Sequence, residues 1–237
     1  MTTWRYLDTG PATGAENMAM DENLLAEAAK ASVAPVLRFY TWAPSAVSLG
    51  RFQDESNSVN REACRKHGVD IVRRVTGGRA VLHRSELTYS IISPDDNHLF
   101  PNDVLGTYKV LAAGLLEGLT RLGVPAEMVS RSGMFADMVK PRSKEPACFS
   151  SPSWYEILVH GKKIVGSAQR RIAGAFLQHG SILIDYDPLL EAEVIPGGGM
   201  RSAVTCIRQE LGRDIGLEVV KQAFLRGFSE ALGVSIR

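Results

Sequence analysis

Hydrophobic residues recur every three or four positions in several stretches of the chain, the spacing of an amphipathic helix. In the first stretch Met18, Leu25 and Ala28 can share one helix face. Two later stretches end at helix-stop signals, Gly68 and the run that starts at Gly123 and contains a proline. The spacing predicts helices over residues 16–31, 57–67, 104–122 and 217–232.

Other stretches are rich in β-branched and aromatic residues and predict strands. The break Ala43-Pro44-Ser45 separates two of them, which we expect to form a hairpin. Gly77-Gly78 divides another into strand, glycine turn and strand, and His160-Gly161 marks a similar turn. The predicted strands lie within residues 36–42, 46–52, 69–83, 86–93, 154–171 and 175–185.

Strands outnumber helices and lie near one another along the chain, with no internal repeat and no linker. This arrangement predicts an α/β (α+β) fold with a mixed, largely antiparallel sheet flanked by helices. With 237 residues, of which 45% are hydrophobic, the chain can bury a sizeable core. We therefore expect a single domain over residues 1–237.

Several classes of protein are disfavoured. No apolar run reaches the roughly 18–20 residues of a membrane span, and no secretory signal begins the sequence. The three cysteines form no CxxC pair, which argues against a disulfide framework and a structural zinc site. We expect a cytoplasmic enzyme with no metal and no membrane partner.

The net charge of +1 hides an uneven distribution. Residues 61–84 and residues 140–171 each carry an excess of five positive charges, so the remainder is acidic. Two basic segments can attract an anionic partner, whether a phosphate, an acidic protein or a nucleic acid. The alternative is ordinary surface charge spread over the molecule.

The glycine turn is the first candidate for chemistry. Gly77 and Gly78 allow a ligand to approach the backbone, and Arg73, Arg74 and Arg79 can meet an anion. The motif is neither a P-loop nor a dinucleotide fingerprint, because both spacings are absent. A simple tight turn is the alternative.

A cysteine and a strand with a lysine are the second and third candidates. Cys148 lies in an irregular loop, and a nearby cation such as Lys162 or Lys163 would favour its reactive thiolate. Strand alternation places Lys163 on one face with Ser167, and the small Ala168 leaves room for a substrate. The alternatives are an unreactive thiol and an edge strand with solvated lysines.

Two histidines lie in apolar surroundings. His83 ends the glycine-turn segment, and His179 precedes Gly180 in an apolar strand. Either can act as a general base, although a single histidine in such a place is more often structural.

Four motifs together carry a resemblance. TGGRAVLH, CFSSPSWYE, GKKIVGSAQRR and LQHGSIL occur in this order, and the chain resembles the lipoate–biotin protein ligase and transferase family over nearly its whole length. The resemblance implies a biotin-ligase-like fold and octanoyl transfer from acyl carrier protein to a lysine of the glycine-cleavage H protein or another lipoyl-domain protein. No cofactor is implied, and no nucleic acid, since no helix-turn-helix segment precedes the motifs.

The resemblance also assigns roles to residues. The ligases of the family have a third glycine where this chain has Arg79, and they lack a cysteine matching Cys148, which implies that Cys148 carries the acyl group as a thioester. Lys163 matches the family lysine credited with lowering the pKa of that thiol. Arg84 departs from the acidic residue often found after the histidine. The predicted substrate-binding residues are Arg73, Arg74, Thr76, Gly77, Gly78, Arg79, His83, Ser167, Ala168, Gln169, His179 and Gly180.

Two other functions remain open. An ATP-dependent lipoate or biotin ligase would use the glycine turn and Lys163 to hold an acyl-adenylate. A non-catalytic module that binds carrier proteins would keep the basic surface and would not need Cys148.

Overall fold

The computed structural model describes residues 2–129, 156–199 and 202–237. In these ranges the helices are Gly14–Ala28 (α1), Glu55–Ser58 (α2), Arg61–His67 (α3), Val104–Arg121 (α4), Pro188–Val194 (α5), Ile207–Leu211 (α6) and Leu217–Leu232 (α7). The strands are Thr3–Ala12 (β1), Val36–Trp42 (β2), Ala46–Leu49 (β3), Asp70–Arg73 (β4), Val81–His83 (β5), Glu86–Pro94 (β6), Glu127–Val129 (β7), Glu156–Val159 (β8), Lys162–Ile172 (β9), Ala175–Leu183 (β10) and Ser235–Ile236 (β11).

A large sheet forms the centre of the fold, with the strand order β11-β1-β2-β6-β10-β9-β8-β7. Five of its seven pairings are antiparallel, and the two parallel ones join β11, β1 and β2. The prediction of a mixed, largely antiparallel sheet is confirmed. Strand β1 was missed because its sequence, TWRYLDTGPA, alternates poorly and ends in glycine and proline.

The predicted hairpin over residues 36–42 and 46–52 is wrong. Strand β2 belongs to the large sheet, whereas β3 is the centre of a second, three-stranded sheet of order β4-β3-β5. Strand β3 is buried throughout and pairs on both edges, in parallel with β4 and antiparallel to β5. The two strands that flank the glycine turn are therefore held apart by β3 and do not pair with each other.

The long helices follow the predicted spacing, with shifts at their ends. Helix α1 begins earlier than expected because Thr13 and Glu16 form a capping box at its N-terminus. The predicted helix over residues 57–67 is divided in two, since the side chain of Asn60 caps a new helix by accepting from the backbone N–H of Ala63. Gly68 ends that helix in the left-handed conformation, as predicted.

Helices α4 and α7 pack against one face of the large sheet and enclose the main core with it. Gly114 and Gly118 of α4 leave space for the rings of Phe228 and Phe224, because a Cβ atom on either glycine would overlap the ring. This close helix packing closes one face of the sheet.

The opposite face of the large sheet is covered by α1 and approached by the small sheet. Met18 of α1 packs there against Tyr40 and Trp42 of β2. Because polar side chains of β6 and β10 also point to this side, the fold leaves a mixed polar and apolar surface between its two sheets.

None of the described helices is long and apolar enough to cross a membrane.

Candidate functional site

A pocket lies between α1, the small sheet and the covered face of the large sheet. The space between its walls is about 400 Å³, part of which is open to solvent. Gly166 of β9 and Gly180 of β10 leave it open, and Met18 and Trp42 give it apolar walls. Six predicted substrate-binding residues line it, namely Arg74, His83, Ser167, Ala168, His179 and Gly180.

His179 lies at the centre of a buried chain of hydrogen bonds. Its Nδ1 is 3.0 Å from Oδ2 of Asp21, and its Nε2 is 2.7 Å from the hydroxyl of Thr76. The carboxylate of Asp21 also accepts from Arg38 at 2.7 Å and from the hydroxyl of Tyr40 at 3.0 Å. Because the carboxylate only accepts, Nδ1 carries the proton, and a neutral ring then accepts from Thr76 at Nε2.

The charge states of this chain follow from its burial. Burial lowers the pKa of His179 and outweighs the opposing influence of Asp21. Burial opposes ionisation of Asp21, but hydrogen bonds from His179 and Arg38 overcome it, so that the pKa of Asp21 is lowered. The pKa of Tyr40 is raised well above its usual value, first by burial and then by the charge of Asp21. At neutral pH the chain holds a neutral histidine against a carboxylate.

We expect stability to fall in mild acid because of His179. Its folded-state pKa is below the unfolded value of about 6.5, so the unfolded chain binds more protons as the pH falls below that value. The free energy of unfolding, measured in urea at pH 7.5 and 5.5, should drop less in His179→Gln than in the native protein. His67→Gln is the matched control, since His67 is a partly exposed histidine that pairs with Glu193. Equal drops in the native protein and His179→Gln would contradict the prediction.

His83 forms a second chain of the same kind. Its Nδ1 is 2.8 Å from Oε1 of Glu86, and its Nε2 is 2.7 Å from the hydroxyl of Ser48. Ser48 accepts from Nη1 of Arg74 at 2.9 Å and therefore donates its proton to the ring. The ring also stacks on Trp42, with centroids 4.0 Å apart. Both nitrogens of both pocket histidines thus have partners, which favours a structural role over that of a free general base.

Arg74 connects this second chain to the glycine turn. It is buried, and its guanidinium donates to the carbonyls of Ser48 at 2.8 Å, Gly77 at 2.8 Å and Arg79 at 2.7 Å. These donors are directed to the protein's own carbonyls, so Arg74 shapes the turn. That it also binds an anion stays a prediction.

The turn residues themselves lie beside the pocket. Gly77, Gly78 and Arg79 are not among the residues that line it. Gly78 has a φ of +93°, in the region that favours glycine, and its carbonyl oxygen occupies the place where a Cβ atom of Gly50 would be. The turn is therefore held by close contact with residue 50 and is more than a simple hairpin connection.

The surroundings of Lys163 differ from the prediction. Ile157 pairs with Val165 but Leu158 pairs with Lys163, so β9 contains one extra residue at this point. Ile164 and Val165 consequently both enter the main core, and the alternation of faces is broken. The prediction that Lys163 shares a face with Ser167 is wrong.

Lys163 is instead paired with a buried carboxylate. Its Nζ is 2.6 Å from Oε1 of Glu156 on the neighbouring strand, and the two residues are 5% and 7% exposed. The backbone of Lys163 is held on its other side by Ala203 and Thr205, at 2.9 and 3.0 Å. This arrangement fixes an ammonium group in the structure. Lys162, by contrast, lines a separate groove.

Two further predicted residues face the core. The hydroxyl of Ser167 is 2.7 Å from that of Tyr89, whose pKa is raised to about 12 by burial. The amide of Gln169 donates to Gln178 at 3.1 Å. Ser167 therefore offers mainly its backbone to the pocket, and Gln169 supports the sheet.

The cysteines divide into two groups. Cys148 lies outside the described residues. Cys64 and Cys206 are buried, and burial raises the pKa of both thiols, which disfavours the thiolate form. Neither of these two has the surroundings of an activated nucleophile.

Three carboxylates of the site were missed by the sequence analysis. Asp21, Glu86 and Glu156 each hold one predicted titratable residue, respectively His179, His83 and Lys163. A signal for Asp21 was present, because it falls at helical spacing on the apolar face of α1 with Met18 and Leu25. Glu156 begins an otherwise apolar strand, and Glu86 begins a strand rich in β-branched and aromatic residues, which is the corresponding signal in a sheet.

A wider groove lies where Lys162 meets the residues that follow Val204. Arg208 pairs there with Asp185 at 2.8 Å and with Asp214 at 2.9 Å. Its charged lining is a poor environment for an acyl chain, so the pocket between the sheets remains the candidate site.

Comparisons with known proteins identify the family of the chain. Residues 13–229 match the model of the lipoyl protein ligase A/B catalytic domain. An octanoyltransferase LipM from Brevibacillus brevis is 41% identical over 249 residues, which cover 100% of this chain and 89% of that protein. The crystal structure of a lipoate-protein ligase A bound with ATP has a TM-score of 0.79 at 26% identity, covering 100% of this chain and 88% of that one.

A more distant structure bears on the fold alone. A biotin protein ligase from Aquifex aeolicus, in complex with biotin, gives a TM-score of 0.52 at 12% identity over 97% of this chain and 70% of that one. The expected biotin-ligase-like architecture and the family resemblance are both confirmed, and the chain belongs to the lipoyl protein ligase A/B catalytic domain family.

Proposed function

We propose that this protein is an octanoyltransferase that moves an octanoyl group from acyl carrier protein to a lysine of the glycine-cleavage H protein or another lipoyl-domain protein. The observation that carries the proposal is the pocket between the sheets, with small residues on its floor and apolar walls, in a chain 41% identical over its whole length to an octanoyltransferase LipM. We also propose a cytoplasmic location.

The proposed reaction has two acyl transfers. The thiolate of Cys148 attacks the thioester carbonyl of the donor, a new thioester forms, and the pantetheine sulfur leaves as a thiol after taking up a proton. The neutral amine of the acceptor lysine then attacks this thioester, the carbon–sulfur bond breaks, and an amide forms as the nitrogen loses a proton and the Cys148 sulfur takes one up. Because a thioester is exchanged for a thioester and then for a more stable amide, the sequence needs no nucleotide, metal or other cofactor.

The residues of the site have separate tasks in this scheme. Gly166, Ala168 and Gly180 make room for the acyl chain, and Trp42 and Met18 supply apolar surface. Lys163 is a buried cation on the strand that carries Gly166 and Ala168, and in the proposal it favours the thiolate of Cys148. The two histidine chains are assigned to holding the pocket and the glycine turn in shape.

The test is to incubate the purified protein with octanoyl-acyl carrier protein after enzymatic removal of ATP, and to measure its intact mass. We expect one octanoyl adduct that hydroxylamine removes, that maps to the Cys148 peptide, and that passes to apo H protein without nucleotide. A parallel reaction receives free octanoate and ATP. An adduct on Cys64 or Cys206 would contradict the assigned intermediate.

An ATP-dependent ligase is the second candidate, favoured by the likeness to the ligase bound with ATP. A ligase would transfer octanoyl in the reaction that receives free octanoate and ATP, and would transfer none from octanoyl-acyl carrier protein without ATP. A non-catalytic module that binds carrier proteins predicts no transfer in either arm.

A further inference from the structure

Phe52 is the most solvent-exposed large hydrophobic residue in the described part of the chain, with 86% of its surface accessible. It lies in the loop between β3 and α2. The guanidinium of Arg51 lies over its ring, 5.3 Å from the centroid. Aromatic residues, phenylalanine included, and arginine are enriched in protein interfaces.

The backbone around Phe52 is firmly held. Arg73 donates to the carbonyls of Gly50 at 2.9 Å and Gln53 at 2.8 Å. The side chain of Gln53 accepts from the backbone N–H of Gly50 at 2.9 Å, and the N–H of Arg51 donates to the carbonyl of Thr76 at 2.8 Å. A loop with these bonds presents Phe52 to solvent without a large loss of loop entropy on binding.

The same loop collects positive charge. Arg51 and Arg73 are exposed, and Arg170 reaches the carbonyl of Val75 at 3.5 Å. Within residues 2–129, 156–199 and 202–237, these three arginines form no ion pair with a carboxylate. We call Arg51, Phe52, Arg73 and Arg170 the arginine–phenylalanine patch.

Two acidic residues, Asp54 and Glu55, follow the patch in the sequence, and both interact with neighbouring residues. Asp54 accepts from the backbone and hydroxyl of Ser56 and from Asn57. Glu55 is paired with Arg61. Glu55 is thus neutralised by Arg61, and the single charge of Asp54 is outweighed by Arg51, Arg73 and Arg170, so the patch is positive.

The patch is close to the candidate site. Thr76 accepts from the backbone of Arg51 through its carbonyl and bonds His179 of the pocket through its hydroxyl. A protein docked on the patch would thus sit beside the glycine turn, at the edge of the pocket. Its acyl group would have a short path to the pocket.

We propose that the arginine–phenylalanine patch is the docking surface for the acyl carrier protein that donates the octanoyl group. This inference rests on the proposed function. Acyl carrier proteins are acidic, and the pantetheine arm is joined to them by a phosphodiester, so cations at the entrance attract both the protein and its arm.

The acceptor fits the patch less well. Its reacting group is a lysine ammonium, which the positive charge of Arg51, Arg73 and Arg170 repels. The charge of the patch thus favours the donor over the acceptor.

The experiment uses Phe52→Ser and Arg51→Glu, which change exposed side chains and leave the backbone bonds of the loop in place. Val219→Ser and Arg226→Glu are the matched controls, since both positions are exposed on α7, on the opposite face of the large sheet. Binding of octanoyl-acyl carrier protein is measured by calorimetry. Steady-state transfer is measured with that donor, with octanoyl-pantetheine, which lacks the protein and the phosphate, and with varied apo H protein.

We expect each patch variant to weaken donor binding and to raise its KM by at least about fivefold, the size of a moderate interface anchor. The KM values for octanoyl-pantetheine and apo H protein should stay within twofold of native, as should every value of the controls. Added salt should weaken native donor binding more than that of Arg51→Glu.

The outcomes separate this proposal from the proposed function. If the native protein transfers octanoyl from the carrier and the patch variants behave as the controls do, only the docking proposal is overturned. A rise in the KM of apo H protein alone would assign the patch to the acceptor and would also overturn it. If the native protein neither binds nor uses octanoyl-acyl carrier protein, both proposals fail together.

Discussion

Replacing Lys163 with methionine should lower octanoyl transfer by at least about a hundredfold, the lower range for loss of an acid–base or charge-stabilising group. The ammonium group is buried and held by the strand and by Glu156, so water cannot easily replace it. In the proposed mechanism this cation favours the thiolate of Cys148, so in Lys163→Met the pH midpoint of Cys148 labelling by iodoacetamide should rise above the native value.

The pairing with Glu156 determines how this experiment must be designed. Removing the lysine takes away the cation 2.6 Å from a buried carboxylate, and breaking a buried pair from one side costs about 3–5 kcal/mol. Lys163→Met should therefore unfold at a lower temperature than the native protein. The double variant Glu156→Gln/Lys163→Met removes both charges and should regain much of that stability without regaining transfer.

Glu156→Gln alone completes the set, because it keeps the ammonium group. It should retain far more transfer than either variant that lacks the lysine. If the double variant is stable and transfers octanoyl at the native rate, Lys163 is a structural residue and its assignment is wrong. The assignment of Lys163 is also wrong if the pH midpoint of Cys148 labelling is native in Lys163→Met and moves only in His83→Gln or His179→Gln.

Replacing Ala168 with phenylalanine should close part of the acyl site. Ala168 lines the pocket and lies directly across the sheet from His179. Each buried CH₂ group is worth about 0.8 kcal/mol, so excluding three of them costs about 2.4 kcal/mol, on the order of fiftyfold in kcat/KM. Butanoyl and hexanoyl donors should lose much less, and Ala168→Val should lie between.

Ala168 is a better position for this test than the glycines. Gly78 has a positive φ, so a side chain there strains the backbone, and the residue does not line the pocket. A Cβ atom on Gly180 would lie 2.5 Å from the carbonyl oxygen of Gly166 and would disturb the sheet. Unchanged kinetics of Ala168→Phe with the octanoyl donor would place the acyl chain elsewhere.

The site could be predicted in part because its residues are distinctive in type. Histidines in apolar strands, small residues near a lysine, and a pair of glycines between strands each stand out from their neighbours, and the pocket brings His83, Ala168, His179 and Gly180 together. Their partners were not evident. Asp21 is 158 positions from His179, and nothing local in the sequence connects the two.

The roles of the arginines illustrate the same limit. The excess of positive charge in residues 61–84 predicts an attraction for anions. In the folded protein Arg74 donates to the carbonyls of Ser48, Gly77 and Arg79, while Arg73 holds the loop at Gly50. Whether an arginine serves a ligand or the protein's own backbone depends on which carbonyls surround it.

The sequence by itself determined the elements whose pattern is local. Helices α4 and α7 have hydrophobic residues at helical spacing, because each helix buries one face. Strands β6 and β10 are long runs rich in residues that favour strands, and they are buried over their whole length. The largely antiparallel sheet followed from strands that are near neighbours in the chain.

The tertiary structure decided what depends on distant contacts. Strand β3 does not pair with β2, its neighbour in the sequence, because β4 and β5 occupy its two edges. The extra residue in β9 turned Lys163 away from Ser167 and towards Glu156, a change of face that alternation cannot reveal. Strand partners, bulges and buried ion pairs depend on which distant segments pack together. Their contribution to the free energy of folding appears only when that packing removes water from the contact.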